Sequence, residues 1–241
     1  MARDERPLAA VPRGVWFALF TALAIQVAWQ SLQPRPVATA VALTSLPPVS
    51  LLRVLAGGEP IALAGVLTLY LQAFDDQPGI SIPFRDFDYR RVIPWLTTLL
   101  ELDPRTQYPL LLAAQVYSQV PDPARVRMML DFIHTEFLRA PNQRWRWLAH
   151  ACIMAKHQLH DNTLALGYAR DIARLAPAAP DWAKQMHIFI LEDLGQVESA
   201  KILLGGLLAS GQIKDEHEMH FLLERLKAME NAEKSSSTSK N

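Results

Sequence analysis

Three apolar helical runs in this 241-residue chain end on the same punctuation: "LELDP" closing at Pro104, "LRAP" at Pro141 and "RLAP" at Pro177. A proline cannot continue a helix, because its nitrogen carries no hydrogen and its ring collides with the preceding turn. The three stops fall 37 and 36 residues apart. That length fits a helix, a turn and a second helix, and one such hairpin cannot bury its apolar face alone. The spacing therefore predicts hairpins stacked on a shared core.

Between residues 51 and 230 apolar residues recur at helical spacing with almost no period-two alternation, which predicts an all-α body. Glu59-Pro60 opens "IALAGVLTLYLQAF", and "DDQPG" closes it. "RDFDYRRVIPWLTTLLEL" follows, with Pro94 expected to kink the helix or to mark a late start. "TQYPLLLAAQVYSQV" turns at 121–123 into "ARVRMMLDFIHTEFLRA", and "NQRWRWLAHACIMAKHQL" turns at His160-Asp161-Asn162 into "TLALGYARDIARLA". "DWAKQMHIFILEDL" turns at Gly195, suited to a left-handed C-cap, into "VESAKILLGGLLAS".

"LGQVESAKILLGGLL", with Gly195 at its turn and Ala200 five residues on, resembles the middle of a tetratricopeptide repeat. "HDNTLALGYARDIARLAP", through Ala165, Tyr168 and Pro177, resembles the same pattern, and "DYRRVIPWLTTLLELDP" resembles its second helix and closing proline. The resemblance covers about residues 59–210, four hairpins, with Val92 and Met129 standing where the pattern usually has alanine. It implies a TPR-like right-handed α-solenoid of about four helical hairpins plus a capping helix. The first helices, at 106–119, 142–159 and 181–194, would line a concave groove.

Ahead of this body, Gly14 to Leu32 runs 19 residues without a formal charge, about 28 Å as a helix and close to the hydrocarbon thickness of a bilayer. Trp16 and Trp29 lie near its ends, where indoles favour the headgroup level. Arg3, Arg6 and Arg13 precede it, whereas Arg35 and Arg53 are spread along the far flank. That bias predicts a cytoplasmic N-terminus and a periplasmic body at a bacterial inner membrane. The rival readings are a signal peptide cleaved after Ala38-Thr39-Ala40 and a buried soluble helix. The expected division is 1–13 cytoplasmic, 14–32 transmembrane signal anchor, 33–50 Pro-rich tether, 51–230 helical repeats and 231–241 disordered tail. An anchor followed by such repeats is similar to bacterial inner-membrane tetratricopeptide proteins that serve envelope assembly, translocon or chaperone work.

Lys+Arg and Asp+Glu both total 24, so no global field draws the chain to nucleic acid. The single cysteine, Cys152, excludes an internal disulfide and sits in a small apolar helical context that favours an inert core thiol. His150, His157 and His160 share a helix without a Cys pair or acidic ligand at metal spacing. His217 and His220 are three apart, where a zinc-protease helix needs four. No Gly-rich phosphate loop, nucleophile elbow or catalytic carboxylate pair is present, so no enzyme activity, cofactor or small-molecule substrate is expected.

Two features are candidates for contact with a protein partner. "NQRWRWL" sets Trp145 and Trp147 beside Arg144 and Arg146, and Trp with Arg is enriched at binding hot spots. The long loop "DDQPGISIPFRDFDYRR" offers Phe84, Arg85, Phe87 and Tyr89. Helical spacing picks Gln115, Arg144, Arg146, Lys156 and Lys184 as groove-facing, a mostly cationic set suited to an acidic or carboxylate-ended segment. The expected function is a membrane-anchored scaffold in a cell-envelope complex. The alternative is a non-catalytic accessory subunit of a membrane enzyme complex, its transmembrane helix packed on partner helices through Ala18, Thr21, Ala22, Ala24 and Ala28.

Overall fold

Residues 11–33, 39–211, 213 and 215–238 are described in the computed structural model. Arg3, Arg6 and Arg35, the candidate cleavage residue Ala38 and positions 239–241 of the expected tail lie outside the described residues. The chain divides into two units, residues 1–40 with 78–80, and residues 41–77 with 81–241.

In the first unit, α1 (Arg13–Leu32) is an unbroken 20-residue helix with no buried residue. Trp16 and Phe20, one turn apart, stack with ring centroids 6.0 Å apart. The helix is long and apolar enough to cross a membrane.

The second unit is helical almost throughout. Its helices are α2 (Val49–Leu55), α3 (Pro60–Gln72), α4 (Tyr89–Leu102), α5 (Tyr108–Leu112), α6 (Pro123–Arg139), α7 (Pro141–His157), α8 (Asn162–Leu175), α9 (Asp181–Asp193), α10 (Val197–Ala209) and α11 (Glu216–Thr238). The long loop after α3 also holds two two-residue strands, Asp76–Gln77 and Ile80–Ser81.

Local chemistry explains the boundaries. Pro60, Pro109, Pro123 and Pro141 sit in first turns, where no amide donor is needed. Asp88, Asp122 and Asp161 cap α4, α6 and α8 by accepting from the amides of Arg90, Ala124 and Leu164. Gly195 takes the left-handed φ of +73° expected at the α9 C-cap, and His160 (φ +53°) makes the tight turn before α8. Pro94 does not start a helix: α4 begins five residues earlier, because the Asp88 cap supplies the start. The helix expected through 106–120 is α5 followed by a single π-turn over Ala113–Tyr117, where Ser118 N–H reaches the Ala113 carbonyl and its hydroxyl donates to the Ala114 carbonyl at 2.5 Å.

The expected tether ends sooner than residue 50. Leu43 is buried, and the carboxamide of Gln77 takes both the N–H and the carbonyl of Val41, at 2.8 and 3.0 Å. Arg91 donates to the Leu43 carbonyl at 2.7 Å, and Trp95 Nε1 to the Thr44 carbonyl at 2.8 Å. An extended strand needs partners for its backbone groups, and α4 and the loop after α3 provide them. At the other end, α11 is helical as far as Thr238.

Consecutive helices pack in pairs from α6 to α11. Bridges between alternate helices repeat at a nearly constant separation in sequence. His134 on α6 meets Asp171 on α8 at 2.7 Å, and Tyr168 donates to Asp131 at 3.2 Å, both 37 residues apart. Lys156 on α7 pairs with Asp193 on α9, again 37 residues on, and Gln185 on α9 donates to Glu218 on α11 at 2.7 Å, 33 residues on. Val92, Met129, Ala165 and Ala200, on α4, α6, α8 and α10, are all sealed from water. The two larger residues fill the space at their own level of the stack. One continuous core runs from Leu43 to Met229, and a small satellite of Leu52, Ala64 and Leu102 lies under α2 and α3.

Candidate protein-binding surface

Pro141 starts α7 immediately after α6, and Asn142 Oδ1 accepts from the Ala178 amide at 3.0 Å, which brings the beginning of α9 beside the beginning of α7. Trp145 of α7 and Trp182 of α9 then meet edge to face, 5.7 Å between ring centroids. The Arg146 guanidinium lies 6.0 Å from the Trp145 ring, a cation–π arrangement. Trp145 packs partly against the core, while Trp182 is 55% exposed and Arg146 is exposed. Trp147, next along, packs on the core and donates from Nε1 to Gln107 Oε1 at 2.7 Å.

Arg144 departs from the expected groove-facing set. It is 5% exposed, and its Nη1 donates to Glu136 Oε2 at 2.5 Å and to the Glu136 carbonyl at 2.9 Å, while Arg139 holds Glu136 Oε1 at 2.7 Å. Glu136 is itself 1% exposed. The pair closes the α6–α7 corner, since a carboxylate this deep requires a cation and hydrogen bonds to stay ionised. Lys156 and Lys184 are half-buried and engaged with Asp193 and Asp181. Gln115 is exposed on the π-turn. The cationic character expected of the groove is thus largely neutralised by ion pairs, leaving Arg146.

The loop candidates separate in the same way. Phe87 and Tyr89 are buried and Phe84 half-buried, in a cluster with Phe74 and Tyr117 at ring distances of 5.5 to 6.3 Å. Tyr89 donates to the Tyr117 carbonyl at 2.6 Å, and burial pushes its phenol up to about 12 despite Arg125 nearby. These rings therefore cover the core instead of reaching outward, because each removes a large apolar area from water. Arg85 remains exposed, 3.9 Å from Asp86.

A polar cleft of ≈ 450 Å³ separates α6 from α8, lined by Arg127, Asp131, His134, Asp161 and Tyr168 among others. Its charges are matched internally: Arg127 bridges Asp131 and Asp161 at 3.1 and 3.4 Å, and Asp171 takes both His134 and Arg174. This is chemistry that ties two helices together. Burial likewise pushes the Cys152 thiol up to about 12, and its Sγ donates to the Ala165 carbonyl. His150 meets the Ala114 carbonyl at 3.1 Å, while His157 and His160 are exposed.

Trp182 escaped the sequence reading, although a signal for it exists: it stands one repeat length, 37 residues, beyond Trp145. Comparison with protein-family models, curated proteins and solved structures finds no match for this chain.

Proposed function

We propose that the chain is a membrane-anchored, TPR-like adaptor that captures a protein segment in a bacterial cell-envelope complex. In this reading α1 is an uncleaved single-pass anchor, the body is periplasmic, and α3 to α11 form a right-handed solenoid whose first helices α5, α7 and α9 line the groove. Bridges recurring at 33 to 37 residues support the stack, and stacked hairpins create an extended surface suited to peptides. The observation that carries the binding role is the exposed Trp182 against Trp145 and Arg146. Large aromatic surface left in water beside a cation that has no ion pair among the described residues is costly for a monomer and typical of a hot spot. The partner segment would offer an apolar anchor for the indoles and a carboxylate for Arg146.

A photo-crosslinking residue placed at Trp182 in the full chain, in cells, tests this. The same partner should be recovered from position 182, not from exposed Thr163 on α8, and the Arg146→Ala variant should weaken its capture by about 1–3 kcal/mol with an unchanged melting temperature. Equal recovery from both positions would refute the groove. A periplasm-only reporter fused after residue 230 tests the topology separately.

A further inference from the structure

α3 has no charged residue from Pro60 through Phe74. Its inner side packs Ala64 and Leu71 into the body, yet its outer side exposes Ile61, Ala62, Gly65, Val66, Leu69 and Tyr70. α2, joined to it at a bend of 109°, exposes Leu51, Val54 and Leu55 as well. A helix that is apolar on every side belongs in an apolar environment, and contiguous apolar surface of this kind marks a contact with a partner or a membrane.

What covers it follows from the chain. Among the described residues the body's contacts begin at Val41, and α1 ends at Leu32. The eight residues between them reach at most about 30 Å even fully extended, so this end of the body stays within that distance of the membrane surface if α1 is embedded. α3 itself has 13 residues, about 20 Å of helix, too short to cross the hydrocarbon but long enough to lie in its boundary. Protein interfaces carry roughly one hydrogen bond per 100–200 Å², whereas the only polar side chain among these outer residues is the half-exposed Tyr70, whose ring stacks on buried Trp95. The face is further indented by a cleft of ≈ 380 Å³, apolar on the α3 side through Ile61, Gly65 and Leu69 and polar on the far side through Asp103, Thr106 and Tyr108.

We propose that the outer face of α2 and α3 rests in the headgroup–acyl boundary of the bilayer that α1 crosses, making the body a monotopic membrane module and not a freely swinging one. The proposal rests on the anchor reading above. The only charged residues from Val41 to Phe74 are Arg53 and Glu59, so the contact is apolar and does not require anionic lipid.

The full chain reconstituted into phosphatidylcholine vesicles tests it, carrying one environment-sensitive fluorophore at Val54→Cys, Leu69→Cys, Gln143→Cys or Phe20→Cys. Cys152 can stay, since its thiol is buried and far from thiolate at labelling pH. With lipids spin-labelled near the headgroup, the labels at 54 and 69 should be quenched at least about twofold more than the one at 143, equally at low and high salt. The label at 20 should be quenched by lipids spin-labelled deep in the chain. Quenching at 20 with positions 54 and 69 behaving like 143 overturns the proposal and leaves the anchor intact. No quenching at 20 overturns the anchor reading itself. A label at 69 shielded from water but untouched by spin-labelled lipid overturns the proposal in favour of a protein occupant, such as a second copy or a partner helix.

Discussion

α3 and α7 are held in place by different physics. α7 is tied on both sides by directional contacts: Arg144 to Glu136, Trp147 to Gln107, His150 to the Ala114 carbonyl, Lys156 to Asp193, and Gln158 to the Ser118 and Val120 carbonyls. α3 has apolar fit, through Ala64, Leu71 and the stack of Tyr70 on Trp95 at 5.3 Å, and among the described residues its polar side-chain contact to another element is between Gln72 and Tyr108. Directional contacts fix register and punish the loss of one partner, whereas apolar fit tolerates exchange and leaves an outer face available to a non-aqueous neighbour. The middle of the body is thus held by directional contacts, and α3 by apolar fit.

The sharpest way to break that contrast is at the α6–α7 corner. Arg144→Ala should cost about 3–5 kcal/mol in urea unfolding, because it leaves Glu136 buried without its main cation. Replacing Glu136 and Arg144 together by Leu and Met should recover most of that loss. A cost for Arg144→Ala below about 1 kcal/mol would mean that Arg139 alone neutralises the carboxylate, and the rigid-middle half of the comparison would fall.

Within α3 two leucines two positions apart divide the inner from the outer side. Leu71→Ala should destabilise by about 2–5 kcal/mol, and Leu69→Ala by no more than about 0.5 kcal/mol in detergent. Comparable losses at both positions would show that the outer face is packed after all.

Tyr89→Phe should cost about 1 kcal/mol by deleting the bond to the Tyr117 carbonyl while keeping the ring. The same residue has an alkaline signature. Its folded phenol, at about 12, lies above the ordinary value of 10.0, so its contribution is complete below pH 10 and is lost as pH rises from there toward 12. Thermal melts at pH 8 and 10.5 should therefore converge for wild type and Tyr89→Phe at the higher pH.

The smallest effect belongs to His187 on α9, which burial pushes below its ordinary range, with Arg170 adding to the shift. Arg170, Asp171 and Arg174 face it across the α8–α9 cleft, and its Nδ1 meets the Lys184 carbonyl at 2.7 Å. The folded state favours neutral imidazole, so the unfolded chain takes up the proton first and stability falls as pH drops below about 6.5. His187→Gln should flatten the melting temperature between pH 7.5 and 5.5; an unchanged slope would assign that dependence to another histidine.

Much of the fold was legible because helix stops, caps and apolar periodicity are local. Pro104 and Pro177 each follow a helix end closely, Pro141 opens α7 directly after α6, and Gly195 takes the torsion its place in the pattern requires. The binding candidates were legible only as residue types. Phe87 and Tyr89 read as loop aromatics until Phe74 and Tyr117 supplied rings to pack on, and those partners are up to 30 residues away in sequence.

By itself the sequence determined α3, α4 and α6 to α10, their order and the apolar run of α1, since each follows from torsional limits and hydrophobic spacing within a few residues. Only tertiary structure decided between Arg144 and Arg146. Two residues apart on a helix, they point about 200° away from each other, and nothing local says which direction holds a neighbour. Glu136, on the preceding helix, made Arg144 an interior residue, and the arrival of Trp182 from α9 gave Arg146 and Trp145 their exposed company. The identity of the facing side chain, which the local pattern does not encode, separated the structural arginine from the one available for binding.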